Sequence, residues 1–220
     1  MADDLMSRTD ATIVKPDALA AEVHKVAADA IERGCHGVVA APVWTARLAT
    51  MLRGSGVRVI SAVSFPSGHS KSTIKAIEAT STIKDGADEI EVAGHLAYVL
   101  SFDVDAARAE LMEVVRAARS TRRDVIIRPT FDLGPLATLD AERTRRVLET
   151  ACRATRESGC DGIVVPPASV AVVKPYAEVL TIKAAIVEDR SSALAALEAG
   201  ADRVGATSVQ RVLDGALKQD

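Results

Sequence analysis

The chain has 220 residues, 48% of them hydrophobic but only 3% aromatic, and a formal net charge of -3. That is enough chain to bury one large core built from Ala, Val, Leu and Ile. The mild acidity gives no electrostatic basis for binding nucleic acid or an anionic membrane, and no apolar stretch approaches the roughly 18 residues of a membrane-spanning helix.

The N-terminus, "MADDLMSRTD", is acidic and lacks an apolar segment, so no signal peptide is expected and the location expected is cytoplasmic. Apolar strands are expected near residues 11–14, 37–41, 57–63, 89–94, 124–130, 162–166, 179–186 and 203–206. Between and after them, amphipathic helices are expected near 17–33, 43–53, 70–85, 104–119, 140–158, 168–176, 191–199 and 208–217. One junction recurs along the chain: "RGCHGVVAA", "DGADEIEVA", "SGCDGIVVP" and "AGADRVGAT" each end a helix and open a strand. Gly34, Gly86, Gly159 and Gly200 fall where a helix end needs a residue free to take positive φ.

Strict alternation of short strands and helices implies parallel pairing through right-handed crossovers. About eight such units in one chain predict a (β/α)₈ (TIM) barrel, a single α/β domain over residues 1–220 without a linker. A doubly wound open sheet is the alternative. It would usually carry a Gly-rich phosphate loop after its first strand, and "TIVKPDA" has none.

In a barrel, chemistry gathers at the strand C-termini. Lys183 lies in the apolar run "VLTIKAAIV", where burying an amine costs several kcal/mol unless something compensates it. It is either one half of a packing ion pair or an amine tuned as base or Schiff-base nucleophile. Glu89 and Glu91 share a face of the fourth strand. Glu89 reads as a solvated carboxylate at the strand entry, and Glu91, lying deeper, as the acid/base candidate. Arg128 in "VIIRPT" is expected to bind an anion, to pair with Glu91, or both. His95 is a general-acid candidate or a solvated loop residue, and Lys15 follows the first strand. Cys35, Cys152 and Cys160 read as buried, reduced thiols, with Cys160 at the strand entry and so unsuited to catalysis. The histidines at 24, 36, 69 and 95 have no ligand spacing, so no metal and no cofactor is expected.

Taken together, "TDATIVKPDA", "SFPSG", "KAIEA", "DGADEIEVA", "TIKAA" and "LEAGADRVGATS" resemble the deoxyribose-phosphate aldolase family, class I Schiff-base aldolases on a (β/α)₈ barrel. The resemblance runs nearly end to end. It implies a catalytic aspartate near the first strand at Asp10 and a lysine on the seventh strand at Lys183. The aspartate on strand four is replaced by Glu91. Where the family carries its Schiff-base lysine, on strand six, this chain reads Asp161-Gly162-Ile163-Val164. The family's strand-five glutamate becomes Arg128, and an asparagine at the end of strand four becomes His95. The Gly-Gly pair that binds substrate phosphate is replaced by "AAIVED", which leaves Gly205, Thr207 and Ser208 as counterparts of the phosphate site. A homodimer is also implied.

The function expected is an aldolase-like lyase acting on a small carbonyl substrate, non-phosphorylated or carboxylated, with the Schiff base relocated to Lys183. The scarcity of aromatic residues favours an aliphatic substrate. Two alternatives stand beside it: a non-covalent acid/base enzyme of isomerase or cyclase type, and a non-catalytic ligand-binding paralogue.

Overall fold

The computed structural model describes residues 2–131 and 138–214. Eight parallel strands pair in sequential order and β8 pairs back to β1, closing a barrel. The strands are β1 (Thr9–Ile13), β2 (Gly37–Ala40), β3 (Arg58–Val63), β4 (Glu89–Ala93), β5 (Ile126–Thr130), β6 (Gly162–Val165), β7 (Thr181–Val187) and β8 (Arg203–Ala206). This is the (β/α)₈ architecture expected from the alternation, and it excludes the open sheet.

The helices are α1 (Ala2–Ser7), α2 (Ala20–Glu32), α3 (Thr45–Met51), α4 (Ser72–Lys84), α5 (Leu96–Leu100), α6 (Val104–Thr121), α7 (Ala141–Glu157), α8 (Val170–Ala177), α9 (Arg190–Glu198) and α10 (Val209–Asp214). Two of them, α1 and α5, are too short for an apolar period to develop and were not expected. The helix expected over 208–217 is described as far as Asp214; its last residues lie outside the described ones. Aspartates cap the N-termini of α6 and α7. Asp103 accepts from the Ala106 N–H at 3.0 Å and Asp140 from the Arg143 N–H at 2.7 Å. Each such cap stabilises its helix by about 1 kcal/mol.

The recurring junction has two physical roots. Gly86 and Gly200 take φ of 105° and 108°, and a Cβ on Gly86 would stand 2.7 Å from the Ala49 methyl. The aspartate two residues further on clamps a neighbouring strand. Asp88, Asp161 and Asp202 accept the N–H of Val59, Ile127 and Ile182 at 2.9, 2.8 and 2.8 Å. Those carboxylates pin the entries of β3, β5 and β7 to the junctions before β4, β6 and β8. At the remaining junction His36 takes the aspartate's place and turns its ring to other work.

Strand residues alternate between two surroundings. Ile90, Val92 and Ile127 pack outward against Ala79, Ile83, Leu111 and Val114 of α4 and α6. Val39, Ile60, Ala62 and Val14 form a small separate cluster, the apolar part of the barrel interior. Thr12, Val39, Ala62, Glu91, Thr130, Val164, Lys183 and Gly205, one from each strand, line a single cavity. Only the interior of the barrel can collect a residue from every strand.

Candidate active site

The alternation that sends Ile182 and Ala184 outward turns Lys183 into the interior, where it is 2% exposed. Its Nζ lies 2.5 Å from Glu91 Oε1 on β4 and 2.8 Å from Asp10 Oδ2 on β1. The amine is thus held between two carboxylates from opposite parts of the barrel, which answers the desolvation cost of burying it. Gly205 makes the room: a Cβ there would come within 3.2 Å of Lys183 Cε and 3.3 Å of Thr12 Oγ1.

Asp10 is fully buried. Burial alone would raise its carboxyl, but the charges of Lys183, Arg203 and His36 overcome that and hold it below the ordinary aspartate value. It therefore stays ionised and serves as a fixed negative charge beside the amine. Glu91 is in contact with both the amine and the cavity.

The cavity above Lys183 measures about 100 Å³ and is walled by Val14, Val39, Ala62, Val164 and Phe65. Ile186 also lines it. This β-branched residue holds a φ of 55°, where the β7–β8 register shifts between Ala184 and Val187. Non-glycine residues rarely occupy that region, and bulges that re-aim side chains recur beside functional sites.

Arg128 is not part of this cavity. Its side chain runs to the N-terminal end of the barrel, where its guanidinium donates to Glu89 and its Nε to Thr181 Oγ1 at 3.3 Å. The partner expected for it, Glu91, is already taken by Lys183. Nor is Glu89 a solvated carboxylate at the strand entry: it is 1% exposed. Arg203 grips it with two bonds of 2.7 and 3.1 Å, and Arg58 stands 3.5 Å away. Burial would raise Glu89, yet the hydrogen bonds from Arg203 and the charge of Arg128 bring it down to about 2. Arg203, also 3.4 Å from Asp10, links this lower layer to the lysine above it.

The other expected residues divide among three places. Gly205 lines the Lys183 cavity. Lys15, Thr207 and Ser208 line a wider neighbouring cavity of about 620 Å³, and there Lys15 is engaged by Glu22 at 2.6 Å. His95 stands apart from both: its ring stacks on Tyr98 at a centroid distance of 4.7 Å. The three cysteines are buried, and burial pushes Cys160 up to about 12, an inert thiol.

Sequence reading missed Lys75, which is fully buried between α4 and α6. Its Nζ donates to Glu110 and to the Ala93 carbonyl, both at 2.5 Å, and the other Glu110 oxygen accepts the His95 N–H at 3.1 Å. This pair fixes the chain leaving β4, just beyond Glu91. A lysine and a glutamate on amphipathic helices look solvated in sequence, and 35 residues separate the two.

No family model matches the chain. Among curated proteins it is 33% identical to a deoxyribose-phosphate aldolase of Mycolicibacterium paratuberculosis, with 96% of each chain covered. It is 31% identical to one from Mycobacterium tuberculosis, covering 96% of this chain and 95% of that one. Among solved structures, the tetrameric deoxyribose phosphate aldolase of Aeropyrum pernix superposes with a TM-score of 0.85 at 26% identity, over 97% of this chain and 91% of that one. With the barrel, the buried lysine and its carboxylates in place, these similarities over almost the whole length establish that the chain belongs to the deoxyribose-phosphate aldolase family.

Proposed function

We propose that this protein is an aldolase-type lyase for small aliphatic carbonyl compounds, in which Lys183 forms the Schiff base. The observation that carries this reading is the position of the amine: buried, 2.5 Å from Glu91, at the floor of an apolar cavity whose other candidate position holds Val164. Valine cannot form an imine, so Lys183 is the amine available to a carbonyl there.

In the cleavage direction, the Lys183 ammonium first passes a proton to Glu91. The free amine attacks the carbonyl carbon, and Glu91 returns its proton to the carbinolamine hydroxyl, which leaves as water to give an iminium and restores the Glu91 carboxylate. Asp10, held ionised, balances its positive charge. Glu91 then takes the proton of the β-hydroxyl. The Cα–Cβ bond breaks, its electrons flow into the iminium to give an enamine, and an aldehyde leaves. Protonation of the enamine carbon and hydrolysis by water restore the lysine. The apolar walls exclude water from the iminium and strengthen its pairing with the carboxylates.

A second reading draws on the same amine lying against two carboxylates. As a fixed ammonium, Lys183 would polarise a carbonyl by hydrogen bonding while Glu91 removes an α-proton, giving enolisation or isomerisation without a covalent step.

Borohydride reduction in the presence of acetaldehyde, other small aldehydes and ketoacids, followed by peptide mapping, separates these readings. The expected result is a reduced adduct on Lys183 that is absent from Lys183→Met. Exchange of substrate α-protons with deuterated water, without any adduct, would overturn the covalent reading in favour of the second. Neither adduct nor exchange with a carbonyl compound that binds would leave a ligand-binding protein.

A further inference from the structure

The Lys183 cavity, at about 100 Å³, has room for a carbonyl group and a few carbon atoms. The cavity beside it is about 620 Å³, within the range of sites that bury small-molecule ligands. The two share Thr12, Val14, Phe65 and Ile186 as common wall. From that wall the wide cavity extends outward between α2 and α10, over the outward-facing Ala11 and Ile13 of β1, with Val26 and Val209 on the flanking helices; the charged Lys15, Glu22, Lys25 and Asp29 also line it, Lys15 and Glu22 paired with each other at 2.6 Å. Phe65 and Ile186 stand at the junction of the two, 46% and 44% exposed. Large apolar side chains exposed around a concavity mark a surface that gains from being covered.

We propose that the wide cavity seats an unbranched aliphatic chain carried by the substrate. The substrate class is then a medium-chain aliphatic aldehyde or ketone, whose carbonyl end enters the small cavity and whose chain lies between α2 and α10. This rests on the Lys183 reading for the reactive end alone. The chain seat itself follows from the shape and lining of the wide cavity. Burying each methylene there gains the ordinary hydrophobic increment, about fourfold in affinity.

Primary alkanols test the seat apart from the chemistry, because an alcohol cannot form an imine. Calorimetric titration with ethanol, butanol, hexanol and octanol is expected to show affinity rising about fourfold per methylene and then levelling as the cavity fills. Val26→Phe and Gln210→Phe, which narrow the cavity from α2 and from α10, are expected to erase that gain. Both should leave acetaldehyde trapping on Lys183 unchanged. Gln210 is exposed, so its variant folds whether or not α2 tolerates the other change. Affinity independent of chain length in the unaltered protein would overturn the proposal, as would a full chain-length gain in folded Gln210→Phe. Absence of acetaldehyde trapping, by contrast, would strike only the Lys183 chemistry and leave the alkanol result to stand or fall alone.

Discussion

Val164 and Lys183 are register partners on neighbouring strands, Cα opposite Cα, and both line the same cavity. An amine introduced at the first position would therefore project beside the second. Two neighbouring places in one cavity wall are thus held by an amine and by an apolar side chain.

Val164→Lys should thus create a second reactive amine. Peptide mapping after borohydride reduction is expected to find adduct at position 164 as well as at Lys183, with faster trapping of acetaldehyde than in the unaltered protein. The added buried charge should lower stability by several kcal/mol, read as a fall in Tm. Adduct confined to Lys183 at an unchanged rate would show that the introduced amine is not presented to the cavity.

Lys183→Met removes the cation shared by Asp10 and Glu91 and leaves two buried carboxylates facing each other. A destabilisation of about 3–5 kcal/mol is expected in urea unfolding. Adding Asp10→Asn should restore part of it, because the remaining carboxylate then loses its repelling neighbour. Additive losses in the double-mutant cycle would contradict the coupling drawn from the 2.8 Å contact.

Acid stability should hinge on Glu89 and Asp10. Both are held below their ordinary values by neighbouring cations, Glu89 down to about 2. The unfolded chain therefore binds more protons than the native one across the acid range, and stability rises with pH there. The contribution is complete above the ordinary glutamate value of 4.5 and is lost as pH falls toward about 2. For Glu89 it amounts to about 3 kcal/mol. Tm should fall steeply below about pH 5, after a smaller loss that begins near 6.5 because burial holds His36 below its ordinary value. In Glu89→Gln it should start lower at neutral pH, with Arg128 and Arg203 deprived of the carboxylate they share, and show a shallower acid limb.

Gly205→Ala places a methyl group 3.2 Å from Lys183 Cε. The backbone tolerates alanine, since Gly205 is not among the positive-φ glycines, so the cost falls on the lysine stem. Overpacking of this kind costs about 1–3 kcal/mol. Trapping at Lys183 should slow by about tenfold or more, because displacing a reacting group by a fraction of an ångström is felt strongly in rate. Unchanged trapping would show that the lysine has more freedom than its packing implies.

The amino-acid sequence by itself determined the barrel, because local features alone specify each of its units. The apolar runs, the helix periods and the repeated glycine junction all act within a few residues, and parallel closure follows from their alternation. It also singled out Lys183 and Glu91, since a charged residue in an apolar strand is visible without knowing its partner; Asp10 was marked only by the resemblance to the aldolase family. Who pairs with whom was decided only by the tertiary structure. Arg128 and Glu91 are adjacent in register, yet Arg128 reaches down to Glu89 while Lys183 takes Glu91, because a long side chain can lean along the barrel axis and choose between layers. The Lys75–Glu110 pair escaped notice for a related reason: on a helix, period alone does not distinguish a solvated charge from one buried under a neighbour. The two cavities meeting at Phe65 and Ile186 belong wholly to the tertiary level, since the space between elements is set by how they pack and is written in no single segment of the chain.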